Sequence, residues 1–168
     1  MLQLNDLGPR GKCVLVRVDY DVPIKDGVVQ YDTRIQERRD SLRHLLEVGD
    51  SLVLHSRLGR ARGVDPKYSL VPVAEALSRY LSGVRFVPHS PGSDQAHQAV
   101  EALAPGEVAL LAHVRSQPGV EKNDPDLAAR YAGPREAFVQ DAFGSTNVAH
   151  ARVAGVARHP PYFAGPLT

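Results

Sequence analysis

Short apolar runs recur along this chain. Each of the first four is followed by a stretch with helical rhythm, and Gly, Pro or Asn punctuate the turns between them. The runs cover residues 13–18, 51–56, 84–87, 107–111, 137–139 and 153–157, and the helical stretches cover 34–48, 69–81, 93–103 and 126–131. Gly49 and Gly83 sit where helices should end, Ser69 and Ser93 where they should begin, and Pro72 falls in a first turn that tolerates it. Strand–helix alternation with runs apolar at successive positions predicts a parallel sheet covered on both faces. The expected fold is a three-layer α/β/α, Rossmann-like domain with a mainly parallel sheet of roughly six strands. A length of 168 residues suits a single domain over 1–168.

Composition narrows the function by exclusion. The formal net charge is +1, so nothing drives the chain generally toward nucleic acid or membrane. Arg57, Arg60 and Arg62 form a small basic cluster, but no aromatic residues interleave with them as a nucleic-acid surface would require. No apolar run approaches the ~20 residues of a membrane helix. The opening residues lack the apolar core of a signal peptide. A cytoplasmic protein is expected. The single cysteine, Cys13, permits no internal disulfide and lies in an apolar run that predicts a buried, inert thiol.

The basic residues are 16 Arg against 4 Lys, which puts weight on where the guanidinium forks fall. In an open parallel sheet ligands bind beyond the carboxyl ends of the strands. Arg17, Asp19 and Asp21 follow the first run, and Ser56, Arg57, Gly59 and Arg60 follow the second. Arg115 follows the fourth, Asp141 and His150 the fifth, and Arg34 opens the first helix. Segments distant in sequence thus converge on one rim, suited to a small ligand bearing phosphate and carboxylate groups. Gly59 would let backbone approach closely. The aspartates would accept from ligand hydroxyls or orient the arginines. The bland alternative is that Arg17–Asp19 and Arg60–Asp141 are ion pairs tying loops together. His55, His113 and His150 could also meet near strand ends, but their spacing carries no metal-ligand signature.

Five strings, in order, carry a resemblance. They are VRVDYDVP with Lys25-Asp26-Gly27 and DTRI, then SRLGRARG, KYSLVPVAEALSRYL, PGEVALLAHVRSQPGVEKNDP and VQDAFGSTNVAHARVAGVA. Together they resemble the amino-terminal, phosphoglycerate-binding half of the phosphoglycerate kinase family. The resemblance implies two α/β domains in the family. The first binds 3-phosphoglycerate or 1,3-bisphosphoglycerate in a basic patch, and the second binds Mg-ATP or Mg-ADP and has no match here. It implies substrate-site positions for Arg17, Asp19, Arg34, Arg60, Arg115 and His150. Arg34 matches the residue that stabilises the transferring phosphoryl group. It implies no cofactor or metal held by this chain.

The departures from the family pattern are specific. Asp21 stands for Asn and Arg57 for His, Ala112-His113 stands for Glu-Asn, and Asn147-Val148 stands for His-Arg. Asp21 adds negative charge beside an anion site, and Arg57 is placed to compensate for Val148. Three readings follow: half of a phosphotransferase that acts with a nucleotide-binding domain, a non-catalytic paralogue that binds a small anion, and a protein-interaction module. Pro160, Pro161, Tyr162, Phe163 and Leu167 form an apolar tail expected to be partly bare, implying a partner domain or a homodimer.

Overall fold

In a computed structural model of the chain the structure describes residues 2–3, 11–59, 65–91, 93–112, 137–141 and 162–164. Nine strands and three helices lie within them: β1 (Leu2–Gln3), β2 (Cys13–Val18), β3 (Ile24–Lys25), β4 (Val28–Val29), α1 (Thr33–Glu47), β5 (Ser51–His55), α2 (Val71–Leu77), β6 (Val84–Val87), α3 (Asp94–Glu101), β7 (Val108–Leu111), β8 (Ala137–Asp141) and β9 (Tyr162–Ala164). Seven strands form one sheet in the order β1-β9-β8-β2-β5-β7-β6, every pairing parallel.

The two faces of that sheet are written into the strands with period two. Val14, Val16, Val18, Leu52, Leu54, Val108 and Leu110 point to one core, where Ile35, Leu42 and Leu45 of α1 and Val73, Ala76 and Leu77 of α2 meet them. Leu15, Val53, Ala109 and Leu111 point to the other, closed by Ala96 and Val100 of α3. Each fully buried Val or Leu contributes about 1.5–3 kcal/mol of transfer free energy. Helices on both faces of a parallel sheet make the expected three layers.

Three expectations change. The helix expected over 69–81 is shorter, Val71–Leu77, and a 3-10 turn (Pro66–Tyr68) precedes it. Leu70 caps it, although the Ser69 hydroxyl still accepts from the Val71 N–H at 3.3 Å. Its far end tightens, with Arg79 and Tyr80 N–H groups donating to carbonyls three residues back before Gly83 (φ 70°) turns the chain. Second, part of the expected tail is a strand: residues 162–164 form β9, hydrogen-bonded between β8 and β1, while Pro160, Pro161 and Leu167 lie outside the described residues. Pairing on both edges satisfies backbone groups that a tail would leave to water. Third, an antiparallel hairpin, β3–β4, interrupts the path from β2 to α1. Its two-residue turn, Asp26 (φ 53°) and Gly27 (φ 73°), has the left-handed geometry that Asp-Gly favours. The stretches 126–131 and 153–157, read as helix and strand, lie outside the described residues.

Cys13 is half-buried rather than buried. It lies at the amino end of β2 beside a cavity of about 250 Å³ shared with Gly11, Gly49, Ser51 and Val100. The strand enters the core only from Val14.

Candidate functional site

β2 has β5 on one side and β8 on the other, so strand order reverses at β2. A crevice at the carboxyl ends is expected at such a reversal. The register brings the exits together: Arg17 lies opposite His55 of β5 and Gln140 of β8, and Val18 opposite Asp141.

Arg17 does not face solvent. It is fully buried, and its Nη1 donates to the carbonyls of Val18 (3.0 Å) and His55 (3.2 Å). A buried guanidinium needs such acceptors to offset its desolvation, and here it ties the ends of β2 and β5. Ser56, also buried, adds a stitch: its hydroxyl accepts from the Tyr20 N–H at 2.9 Å and donates to the Arg57 carbonyl at 3.2 Å.

The aspartates beyond β2 orient arginines. Asp19 Oδ2 takes a hydrogen bond from Arg34 Nη1 at 2.9 Å, so Asp19 pairs with Arg34 rather than with Arg17. The Arg34 side chain is 49% exposed and that of Asp19 14%, a half-open cation on a nearly buried anchor. Arg34 stands there because α1 starts one residue earlier, at Thr33. Asp21 Oδ1 accepts from the Gly59 N–H at 2.9 Å, and its Oδ2 lies 3.9 Å from Arg57 Nη2. The one described charge partner of Arg57 is therefore Asp21; Val148, which it was expected to compensate, lies outside the described residues.

Two features of the fold call for glycine at position 59. Its φ is +60°, and a Cβ there would sit 2.5 Å from a ring carbon of Tyr68. The Tyr68 ring takes the room that a side chain at position 59 would need. Tyr68 carried no signal in sequence beyond being aromatic near a glycine turn.

A second cluster joins the helices. The Asp32 carboxylate accepts from the Tyr80 hydroxyl and from Gln36 Nε2. The Tyr80 hydrogen bond, then that of Gln36, holds the Asp32 carboxyl below its ordinary 3.8, and the same bond to Asp32 raises the Tyr80 hydroxyl above 10.0. Arg43 Nη2 also donates to the Tyr80 carbonyl at 2.9 Å. Asp32 and Tyr80 are 48 residues apart, and nothing in the local sequence announces the pair.

Five of the expected rim residues, Arg17, Asp19, Asp21, Arg34 and Arg57, are thus brought to the exits of β2 and β5 or the start of α1. Arg60, Arg115 and His150 lie outside the described residues, as do His113, Asn147 and Arg62. His55 is fully buried within the sheet end. Among the described residues no group of three His, Cys, Asp or Glu is placed to hold a metal ion, and no helix is long and apolar enough to cross a membrane.

A doubly wound parallel sheet with charged pairs at its strand-order reversal defines an α/β domain of the Rossmann-like class. Comparison with known proteins gives the family. The family model for phosphoglycerate kinase matches residues 4–168. The phosphoglycerate kinase of Thermus thermophilus is 61% identical over 165 residues, 98% of this chain and 42% of that protein. That of Deinococcus radiodurans is 54% identical over 169 residues, 99% of this chain and 41% of that protein. The solved phosphoglycerate kinase of Coxiella burnetii superposes with a TM-score of 0.89 at 32% identity, covering 99% of this chain and 42% of that one. The chain belongs to the phosphoglycerate kinase family and corresponds to its amino-terminal domain. It spans about two fifths of the length of these relatives.

Proposed function

We propose that residues 1–168 form one domain that binds 3-phosphoglycerate, 1,3-bisphosphoglycerate or a similar small phosphorylated carboxylate at the carboxyl rim of β2 and β5. The observation that carries this reading is the Asp19–Arg34 pair: a half-exposed guanidinium held at 2.9 Å by a nearly buried carboxylate, at the sheet's reversal point. Anchoring on one side leaves the other donors of Arg34 in solvent, oriented for an oxyanion. Arg57 stands at the same rim, and Arg60, Arg115 and His150 follow from the family pattern. Arg17 acts behind them by fixing the strand ends. In phosphoryl transfer Arg34 would offset charge on the moving group, a role of position and electrostatics.

Phosphoryl transfer needs Mg-ATP or Mg-ADP, and the described rim does not fit that group. Asp19 is committed to Arg34, and Asp21 to Gly59 and Arg57. The turn Ser56-Arg57-Leu58-Gly59 also lacks the lysine of a phosphate-cradling loop. The nucleotide is assigned to a separate nucleotide-binding domain, with which this one would act as a cytoplasmic phosphotransferase. A second reading, a non-catalytic anion-binding or interaction module, is favoured by one observation: two positions that depart from the family pattern, Asp21 and Arg57, face each other across 3.9 Å.

Isothermal titration of the chain with 3-phosphoglycerate tests the binding claim, with saturable heat expected at micromolar to millimolar ligand. No heat and no thermal shift at millimolar ligand would overturn it. Mixing the chain with a nucleotide-binding domain of the family and assaying phosphoryl transfer separates the readings: turnover supports the phosphotransferase, binding without turnover the module.

A further inference from the structure

The two aspartates beyond β2 hold their arginines unequally. Asp19 meets Arg34 at hydrogen-bond length, 2.9 Å. Asp21 spends Oδ1 on the Gly59 N–H and reaches Arg57 only at 3.9 Å. That backbone bond fixes the Asp21 carboxylate on the 56–59 turn and stops it closing on Arg57. Arg57 Nε is buried and has no hydrogen-bond partner among the described residues. Arg57 is thus an under-used guanidinium whose charge is offset by a carboxylate that never fully engages it.

We infer that Asp21 is a specificity-determining residue that competes with the incoming anion for Arg57 and so sets how much negative charge the rim accepts. The inference rests on the rim being an anion site, as proposed above. An oxyanion that reaches Arg57 comes close to Asp21, and like charges a few ångströms apart oppose each other. Arg34 and Arg57 each face an aspartate, so these two open pairs carry no net charge, and buried Arg17 supplies the positive charge behind them. The opposition grows with the negative charge the ligand brings to Arg57, so multiply charged anions lose the most affinity to Asp21. Asp21 therefore has the opposite role to the one its place in the site suggests: it positions the 56–59 turn through Gly59 and weakens the grip of Arg57.

The test is calorimetric titration of the full chain with 3-phosphoglycerate and, separately, with inorganic phosphate, for wild type, Asp21→Asn, Arg57→Gln and the double variant. Asparagine keeps an oxygen that accepts the Gly59 N–H, so the turn is retained. Asp21→Ser replaces Asp21→Asn if that variant loses its cooperative thermal transition. Asp21→Asn is expected to tighten 3-phosphoglycerate binding about five-fold. Arg57→Gln is expected to weaken it, and Asp21→Asn on that background to gain less than about two-fold. The gain for inorganic phosphate, with less charge, should be smaller than for 3-phosphoglycerate. An unchanged or weaker affinity in Asp21→Asn, beside a wild type that binds, overturns the inference alone. So does an equal gain with and without Arg57, which would reduce Asp21 to a general charge. No binding by any of the four chains overturns both the inference and the proposed function.

Discussion

The two ends of the sheet use charge in opposite ways. At the amino end Asp50 is fully buried, and its Oδ1 accepts from the Gly11 and Lys12 N–H groups at 3.0 and 2.9 Å. The Asp50 carbonyl also accepts from the Gly106 N–H. This carboxylate spends one oxygen on backbone and fastens loops, while Oδ2 is buried with no hydrogen-bond partner among the described residues. At the carboxyl end Asp19 and Asp21 face side-chain guanidiniums that stay partly open to water. A carboxylate closed over amides leaves nothing for a ligand, whereas one that steadies an exposed arginine leaves donors free to recognise an oxyanion. Fold class alone does not separate the two ends; the partners of the aspartates do.

That contrast can be broken most forcefully at Asp50. Asp50→Ala should cost about 2–3 kcal/mol, because it removes the acceptor of two N–H groups at a buried position. Chemical denaturation should show the loss while the affinity for 3-phosphoglycerate of the remaining folded protein stays within error. A ligand effect as large as the stability effect would mean that the amino end is not merely a fastener. At the rim Gly59→Ala should cost about 1–2 kcal/mol through its left-handed backbone, and more if the Tyr68 ring cannot yield. A Tyr68→Leu partner change should recover part of the lost melting temperature.

Arg34→Ala sharpens the comparison from the other side. Stability should move by less than about 0.5 kcal/mol, since exposed ion pairs contribute little. Affinity for 3-phosphoglycerate should fall about ten-fold or more with the loss of a charge-assisted donor. A large fall in melting temperature with unchanged binding would turn the Asp19–Arg34 pair into a fastener like Asp50.

The smallest effect belongs to the Asp32–Tyr80 tie between the helices, which lies at neither end. The depressed Asp32 carboxyl contributes stability that is present above its ordinary 3.8 and lost as pH falls through its lower folded value. The raised Tyr80 hydroxyl contributes stability that is present below 10.0 and lost as pH rises through its higher folded value. Melting temperature against pH should show both limbs. Tyr80→Phe should abolish the alkaline limb and soften the acid one, since Gln36 still supports Asp32. An unaltered alkaline limb in that variant would assign it elsewhere.

Much of this architecture is legible in the amino-acid sequence. The runs at 13–18, 51–56 and 107–111 announced β2, β5 and β7, because burial on both faces forces apolar residues at successive positions, while the run at 84–87 announced the edge strand β6 despite its exposed Arg85. Ser93 was legible as the start of a helix, and in the structure it caps that helix, its hydroxyl accepting from the Ala96 N–H at 3.2 Å. The strand at 162–164 was not legible. Its three residues become a strand only because β8 and β1 offer edges on both sides, and that is a long-range fact. The β3–β4 hairpin did leave a signal: Lys25-Asp26-Gly27 marked the turn, though the flanking strands are only two residues each. In the candidate site the residue types were readable and their partners were not. Asp19 and Asp21 were placed at the rim, but the choice of Arg34 over Arg17 for Asp19 depended on Arg17 folding inward to two strand-end carbonyls.

Sequence alone thus determined the layered parallel sheet, the family and the clustering of Asp and Arg beyond β2, since periodicity and ordered motifs are properties of the chain itself. Tertiary structure decided which aspartate holds which arginine, which arginine is buried and what Gly59 makes room for. Those outcomes depend on distances between residues as many as 38 positions apart, such as the Gly59 N–H and the Asp21 carboxylate. A difference of one ångström, 2.9 Å for Asp19–Arg34 against 3.9 Å for Asp21–Arg57, separates a hydrogen-bonded pair from a looser one, and only packing fixes it.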